Sequence, residues 1–195
     1  MKLNSEFYCR EDVVELAKEL VGCIIYTRFD KQLCGAIIAE TEAYAGITDK
    51  ASHAWGNRFT KRTSVMYRSG GHAYVYLCYG IHNLFNIVTA TENTPHAILI
   101  RGAIPSTNHP IMMSRMGIND IRQLKLDGPG KFSKAMGIEL SHNELPLSGN
   151  KIWIETNRKK DADYQIINTP RIGISYAEED AELPYRFLIK NYWQL

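Results

Sequence analysis

The sequence AYVYLCYGIHNLFNIVTATENTPHAILIRG, residues 73–102, decides the fold. It contains three runs rich in β-branched, aromatic and other apolar residues, at 73–79, 84–90 and 97–102, which predict three strands. Residues 80–83, GIHN, are a tight connection between the first two strands, so these should form a hairpin. Short connections join antiparallel neighbours, whereas parallel strands need a long crossover. The stretch therefore predicts a mostly antiparallel sheet.

The rest of the chain adds strands and helices around this sheet. Two β-rich runs at 21–27 and 34–44, separated by a polar loop at 28–32, predict a second hairpin. No internal repeat or long linker divides the chain, so we expect a single compact domain over residues 1–195. The fold class is α+β, with a mostly antiparallel sheet and surrounding helices. Further strands are predicted at 151–156, 170–175 and 186–190, and helices at 11–20, 111–126 and 131–136.

Composition limits the class of protein. Of 195 residues, 45% are hydrophobic, which is enough to bury a substantial core. The four cysteines, Cys9, Cys23, Cys34 and Cys78, include no C-x-x-C pair, which favours reduced, buried thiols over disulfides or a zinc site. The N-terminal segment lacks the apolar region of a signal peptide, and no run is long enough to cross a membrane. We therefore expect a cytoplasmic protein without membrane association.

The charges are unevenly distributed, although the net charge of +2 is too small to indicate a nucleic-acid-binding protein. No acidic residue occurs from Lys50 to Thr91, and part of the compensating acid is at residues 178–182. Basic and aromatic residues together can neutralise phosphates and stack on unpaired bases. A solvated loop beside ordinary core aromatics is an equally good interpretation. The candidate contacts to a nucleic-acid backbone are Arg58, Lys61, Arg62 and Arg68, interleaved with Trp55, Phe59, Tyr67, Tyr74, Tyr76, Tyr79 and Phe85.

The end of the strand at 34–44, ETEAY, carries two carboxylates on an otherwise apolar run. Strand alternation puts Glu40, Glu42 and Tyr44 on one face. Carboxylates there need a cleft or a cationic partner, because burying an unpaired charge is unfavourable. Arg101, at the end of another predicted strand, is a positive charge on an apolar run and likewise needs a cleft or an anionic partner. Glu42 and Arg101 could form a structural ion pair or, with a water between them, a general base for hydrolysis. We assign Glu40 to structure.

Two motifs that would indicate other enzymes are incomplete. HNE at 142–144 matches the H-x-E of zinc-dependent deaminases, but the P-C-x-x-C element is missing. GPGKFS at 128–133 fails as a P-loop, because Phe132 follows the lysine and the first glycine is at the wrong distance. The sequence therefore predicts no metal site and no cofactor. A non-catalytic nucleic-acid-binding module is a further alternative, although it would not need the Glu42 carboxylate.

Several short blocks occur in a particular order: ETEAY at 40–44, KASHAWGNR at 50–58, YVYLCYG at 74–80 continuing to Asn86, ILIRG at 98–102, GPGK at 128–131 and RIGI at 171–174. This set covers most of the chain from about residue 37 and closely resembles the alkyladenine (3-methyladenine) DNA glycosylase family. The resemblance implies a curved sheet with a protruding β-hairpin.

The same resemblance implies an activity in base excision repair. An alkylated or deaminated purine, of the 3-methyladenine, 7-methylguanine, hypoxanthine or ethenoadenine class, would be flipped out of the duplex. Its N-glycosidic bond would then be hydrolysed by a glutamate-activated water, leaving an abasic site without a lyase step. The implied partner is double-stranded DNA containing a damaged purine, and no cofactor is needed. We expect the protein to act as a monomer, since one domain reads one site. In a bacterium the protein would be associated with the nucleoid.

The resemblance also implies roles for individual residues. Glu42 corresponds to the general base that deprotonates the attacking water, while Arg101 and the backbone carbonyl of Ile172 correspond to groups that position this water. Tyr79 resembles the side chain that wedges into the duplex through the minor groove and fills the space of the flipped nucleotide. The hairpin departs from the family pattern at residues 81–83, where Ile-His-Asn replaces bulky side chains.

Four residues are assigned to the base pocket in the same way. Tyr44 is similar to the tyrosine that stacks on one face of the flipped base, and His53 and Tyr76 to the residues that enclose the other face. Asn86 resembles the asparagine that disfavours guanine by crowding its exocyclic amine. A buried amide within the apolar run LFNIV must find hydrogen bonds, which favours a functional Asn86 independently.

Overall fold

The computed structural model describes residues 1–157 and 164–194. Eight strands form one sheet: β1 Ile24–Phe29, β2 Gln32–Tyr44, β3 Ala73–Cys78, β4 His82–Thr89, β5 His96–Thr107, β6 Ile152–Glu155, β7 Ile166–Thr169 and β8 Arg186–Ile189. The strands β3, β4, β5, β2, β1 and β6 lie side by side in this order, and β8 pairs with both β2 and β7. Every pairing among the described strands is antiparallel, and the sheet curves into a half-barrel. The predicted α+β class is confirmed.

The long strand β2 is the centre of the sheet. Its first half pairs with β1, most of its length pairs with β5, and residues 40–42 also pair with β8. Its residues 34–36 and 38–43 are buried, which agrees with the apolar composition that the sequence shows there. The carboxylates of Glu40 and Glu42 therefore lie in the middle of the sheet and not at an edge.

In the described part of the chain, four α-helices flank the sheet: α1 Ser5–Tyr8, α2 Val13–Leu20, α3 His109–Met116 and α4 Pro129–Met136. Helix α2 begins at Val13 because the Asp12 side chain accepts a hydrogen bond from the Glu15 N–H and so caps the first turn. Its buried face, with Leu16 and Leu20, belongs to the same core cluster as the buried residues of β2. Thr41 ties the two together, since its hydroxyl donates to the Ala17 carbonyl at 2.8 Å.

Two predicted elements differ from the structure. The helix predicted at 111–126 ends at Met116, because Gly117 adopts a left-handed φ of 72° that closes the helix, and only a 3-10 turn at Ile121–Gln123 follows. The strand predicted at 170–175 is wrong. The strand in this region is β7, which pairs with β8 and ends at Thr169 before a proline that has no N–H to donate. The segment 171–174 turns at Gly173, whose φ is 77°.

The remaining predicted elements are present, including both hairpins, β1–β2 and β3–β4, and their bounds agree within a few residues except that β5 continues to Thr107. No disulfide links the four cysteines, which all lie within the described residues 1–157, but the predicted burial holds only for Cys23 and Cys34, since Cys9 and Cys78 are half-buried. Among the described residues, no helix is long and apolar enough to cross a membrane. Within the same residues, no group of three or more His, Cys, Asp or Glu side chains could hold a metal ion.

Candidate active site

A cavity of about 650 Å³ lies where the hairpin β3–β4, the end of β2 and the segment after β7 meet. The structure brings to this cavity residues that are up to 134 positions apart in the chain, from Glu42 to Tyr176. Two segments without regular strand or helix, at 51–53 and 172–174, complete its wall. The predicted site residues that line it are Glu42, Tyr44, His53, Arg62, Tyr76, Tyr79, Asn86, Arg101 and Ile172.

The Glu42 carboxylate is fully buried, yet it borders the cavity. Its Oε1 accepts a hydrogen bond from the backbone N–H of Ile172 at 2.9 Å, and its Oε2 accepts one from the Tyr44 hydroxyl at 2.8 Å. Arg101 Nη1 lies 3.6 Å from Oε1. Because a carboxylate oxygen has two lone pairs, each oxygen can still accept a hydrogen bond from a further donor. Glu42 is thus rigidly held and still able to receive a proton from a molecule in the cavity.

Irregular pairing between β2 and β5 explains how Arg101 reaches this cavity. Glu40 is opposite Gly102 and Thr41 is opposite Ile100, so Arg101 is an extra residue on β5. Such β-bulges change the direction of a side chain and are common beside active sites. Ile100 packs into the main core, whereas Arg101 keeps 18% of its side chain exposed on the cavity side.

The second carboxylate of this strand, Glu40, is buried behind the cavity wall. Its Oε1 accepts a hydrogen bond from Arg186 Nε at 2.5 Å, and its Oε2 accepts one from the Tyr192 hydroxyl at 2.5 Å. Arg101 Nε lies 3.1 Å from Glu40 Oε1, closer than its Nη1 lies to Glu42. The cationic partner that the sequence required for these carboxylates is therefore present, and Arg101 is shared between the two.

Aromatic rings form the opposite part of the cavity wall. The His53 ring lies edge-on to Tyr76 at a centroid distance of 4.7 Å, and the rings of Tyr74 and Tyr76 are 5.3 Å apart. The His53 Nδ1 is 2.7 Å from the Tyr74 hydroxyl. Burial, together with the positive charges of Arg62 and Arg58, lowers the pKa of His53 to about 4. The imidazole is therefore neutral at neutral pH, so it does not repel a cationic ring.

Asn86 lies on β4 with 4% of its surface exposed, and it lines the same cavity. Its Nδ2 donates to the backbone carbonyl of Tyr74 at 3.1 Å, across the β3–β4 pair. This contact supplies the hydrogen bond that a buried amide requires. It also fixes the side chain as a rigid projection between the strands.

A sequence profile described as Methylpurine-DNA glycosylase (MPG) matches residues 6–192, which is nearly the whole chain. The chain belongs to this family. A relative from Chlamydia felis is 45% identical over 188 residues, covering 96% of this chain and 95% of its own length. Relatives from Clostridium novyi and Borreliella burgdorferi are 41% and 39% identical, and each alignment covers at least 95% of both chains. All three carry the name "Putative 3-methyladenine DNA glycosylase".

Membership of the methylpurine-DNA glycosylase family confirms the predicted class of enzyme, a DNA glycosylase of DNA repair. In this family member, the hairpin β3–β4 ends in an exposed tip. Tyr79 follows β3 with a φ of 50° and is 90% exposed, and Ile81 is 72% exposed. The predicted strand thus ends at Cys78, and Tyr79 belongs to the turn.

The GPGK block, which opens helix α4, supports this hairpin. Gly130, in the first turn of α4, packs so closely on His82 that a Cβ on Gly130 would lie 2.9 Å from the imidazole. Only glycine permits this contact without a shift of the neighbouring ring. Helix α4 therefore braces the base of the turn that carries Tyr79.

The basic residues of the acid-free stretch have different surroundings. Lys50 pairs with Glu178 and Glu179 at 2.5 and 2.8 Å, and Arg68 pairs with Glu144 at 2.7 Å. Part of the charge that looked uncompensated in the sequence is thus neutralised in space. The residues Arg58, Lys61 and Arg62 are exposed, as are the aromatic side chains of Trp55 and Phe59. Tyr74 and Phe85 are buried, as the interpretation as core aromatics expects, whereas nucleic-acid contacts by the exposed basic residues stay a prediction.

The sequence did not indicate the buried ion pair between Asp49 and Arg171. Arg171 donates to both Asp49 oxygens, at 2.5 and 2.9 Å, and to the Ala43 carbonyl at 2.8 Å. Its guanidinium also lies over the Tyr44 ring, 4.9 Å from the centroid. Because Arg171 immediately precedes Ile172, this pair places the N–H that binds Glu42. No motif distinguishes Asp49, which lies in a loop, from a solvated aspartate.

Two further tyrosines border the cavity without having been assigned to it. Tyr74 lines the cavity and contacts His53, and only its membership of the aromatic, acid-free stretch had indicated it. Tyr176 is 65% exposed at the cavity, and its hydroxyl donates to the Ala51 carbonyl at 3.3 Å. It lies just before the acidic residues at 178–182, and no aromatic pattern in the sequence indicates a role for it.

Proposed function

We propose that this chain is a monofunctional glycosylase that hydrolyses the N-glycosidic bond of an alkylated or deaminated purine flipped out of duplex DNA. One observation carries this proposal. A fully buried glutamate, Glu42, borders a largely aromatic cavity beside Arg101 and retains lone pairs toward a bound molecule. This is the arrangement that a general base for hydrolysis requires.

In the proposed reaction, Glu42 accepts a proton from a water molecule as the water oxygen bonds to C1′ of the deoxyribose. The bond between C1′ and the purine nitrogen breaks, and its electron pair leaves with the base. Arg101 and the backbone carbonyl of Ile172 orient the water. An N3- or N7-alkylated purine already carries a positive charge, so the base becomes neutral as it leaves with the electron pair. A neutral base such as hypoxanthine additionally needs a proton as it leaves.

The aromatic wall gives a physical reason for selecting damaged purines. Tyr44 and Tyr76 offer electron-rich rings, and cations are attracted to such rings by about 0.5–2 kcal/mol. The neutral imidazole of His53 adds a ring without adding a repelling charge. Asn86 crowds the position of the exocyclic amine of guanine and so disfavours that normal base. A damaged base that pairs poorly also costs less to flip.

The exposed hairpin tip and the basic surface supply the contacts to DNA. Tyr79 enters the duplex and occupies the gap left by the flipped nucleotide, which offsets part of the unstacking cost of a few kcal/mol. Contacts to phosphates position the duplex and carry no sequence information. The residues proposed for these contacts are Arg58, Lys61, Arg62 and Arg68, the last also paired with Glu144.

The proposed enzyme acts as a monomer with one glycosylase domain over residues 1–195, because one active site treats one nucleotide. It uses the protein groups and water alone, without a metal or cofactor. Since its substrate is double-stranded DNA, it acts where the DNA is, which for a bacterial chain is the nucleoid in the cytoplasm.

The decisive experiment measures free-base release from duplex oligonucleotides that each contain one 3-methyladenine, 7-methylguanine, hypoxanthine or ethenoadenine. Glu42→Gln should bind these duplexes like the wild-type protein but release bases about a hundredfold to ten-thousandfold more slowly, as expected when a general base is lost. The matched control is Glu155→Gln, because Glu155 lies on β6, at the far end of the strand order, where its Oε1 accepts a hydrogen bond from Trp153 Nε1. Near-normal release by Glu42→Gln would refute the proposed base.

The same oligonucleotides separate this function from two alternatives. A non-catalytic binding module would bind the damaged duplexes and release no base with either the wild-type protein or the variants. A glycosylase with a lyase step would cleave the strand and form a covalent adduct that borohydride traps. We expect intact strands with abasic sites, because the proposed nucleophile is water.

A further inference from the structure

We propose that Glu40 is a positioning residue for the reaction, which holds Arg101 by its Nε and so keeps the guanidinium from closing onto Glu42. This inference rests on the function proposed above, and it concerns a group that this function does not use. Glu40 is a second carboxylate, 3% exposed, on the same strand as the proposed base. Burying a charge is costly unless its partners are well arranged, so the arrangement of these partners is informative.

Glu40 is fixed from two directions. Arg186 on β8 donates from its Nε, and Tyr192 near the C-terminus donates from its hydroxyl, both at 2.5 Å. The tyrosine reaches the carboxylate over Gly102, where a Cβ would lie only 2.2 Å from the Tyr192 hydroxyl oxygen. A side chain at this position would displace the tyrosine. The carboxylate that meets Arg101 is therefore held in one orientation by groups outside the cavity.

Arg101 stands between the two glutamates at unequal distances. Its Nε is 3.1 Å from Glu40, whereas its Nη1 is 3.6 Å from Glu42. A charge-assisted N–H···O hydrogen bond is typically about 2.7–2.9 Å long, so both contacts are ion pairs longer than such a bond, and the contact to Glu42 is the looser of the two. A closed pair with Arg101 would occupy the lone pairs that the water needs. It would also stabilise the charged carboxylate and make it a weaker base.

The surrounding charges explain why Glu40 has this effect. The cluster contains two carboxylates, Glu40 and Glu42, and two guanidinium groups, Arg101 and Arg186. The other ionisable groups that face it are Arg171, Tyr44 and Tyr192. Without the charge of Glu40, Arg101 would have Glu42 as its nearest anion, and we expect it to turn toward that carboxylate.

Glu40→Gln tests this inference, because glutamine keeps the shape of the side chain and removes its charge. In single-turnover reactions with a hypoxanthine duplex, we expect base release to fall about a hundredfold, the effect of misplacing a catalytic group by about 1 Å. The acidic limb of the pH–rate profile should move to lower pH, while binding of the duplex stays unchanged. Tyr192→Phe, which removes one anchor of Glu40 and no charge, should act in the same direction by a smaller factor.

If Glu40 had only a structural role, Glu40→Gln would lower the melting temperature and leave the pH–rate profile in place. This is the pattern that we expect for the control Glu155→Gln. Wild-type rates and an unmoved acidic limb in Glu40→Gln, with Glu42→Gln inactive, would overturn this inference and leave the proposed function intact. An active Glu42→Gln would instead overturn the proposed function. If Glu40→Gln does not fold, Tyr192→Phe becomes the test variant. A wild-type rate of base release and an unmoved acidic limb of the pH–rate profile in Tyr192→Phe would then overturn the inference.

Discussion

Replacing Asp49 by Asn should both destabilise the protein and slow base release, because this carboxylate holds several parts of the site together. It accepts two hydrogen bonds from Arg171 and one each from the N–H groups of Ala45 and Ala51. The side chains of the ion pair are 0% and 2% exposed, so solvent does not screen the pair. Asparagine would leave the guanidinium buried without a counter-charge, which typically costs about 3–5 kcal/mol.

This cost can be measured by thermal unfolding and by denaturant titration. In a protein of this size, 1 kcal/mol corresponds to about 2–4 °C, so the Tm should fall by about 6–20 °C. Base release should be slower even where the variant is fully folded, because Arg171 places the Ile172 N–H that binds Glu42. The control Asp127→Asn removes an exposed pair with Lys131 and should cost less than about 1 kcal/mol. Equal, small losses in both variants would refute the reasoning.

Three other predictions address the cavity and the hairpin. Because the pKa of His53 falls from its ordinary 6.5 to about 4 on folding, the unfolded chain binds this proton more readily, and stability should be lost as the pH falls from about 6.5 to about 4. His53→Gln should lose less stability than the wild type between about pH 7 and about pH 5 in denaturant titrations. Asn86→Ser should release guanine from undamaged duplex faster than the wild type. Tyr79→Ala should weaken binding of damaged duplex and change stability by less than about 0.5 kcal/mol, since the side chain is 90% exposed.

Each of these has an outcome that would contradict it. Identical pH dependence of stability in His53→Gln and wild type would show that the pKa of His53 does not differ between the folded and the unfolded protein as described. Unchanged exclusion of guanine by Asn86→Ser would remove the steric argument for Asn86. Full binding and release by Tyr79→Ala would mean that the tip does not enter the duplex.

Local sequence patterns predicted those parts of the fold that depend on neighbouring residues. The alternation and the short connections of residues 73–102 were enough to place three strands, because a hairpin is formed by residues close in the chain. The same local reasoning failed at Gly117, where one left-handed residue ended a helix that apolar periodicity had continued. Local reasoning failed again at 170–175, where the chain turns at Gly173 and apolar residues line the cavity without forming a strand.

The amino-acid sequence by itself determined the fold class, the family and the proposed catalytic and base-pocket residues that line the cavity, because ordered motifs can be recognised without coordinates. Only the tertiary structure decided how these residues act on one another. A bulge places Arg101 between Glu40 and Glu42, and the N–H of Ile172 holds Glu42 from across 130 positions of chain. Lys50 lies in an acid-free stretch of sequence, and only the folded chain brings it to its ion-pair partners Glu178 and Glu179. Side-chain direction at a bulge and pairing between distant segments depend on the packed sheet, and no local pattern encodes them.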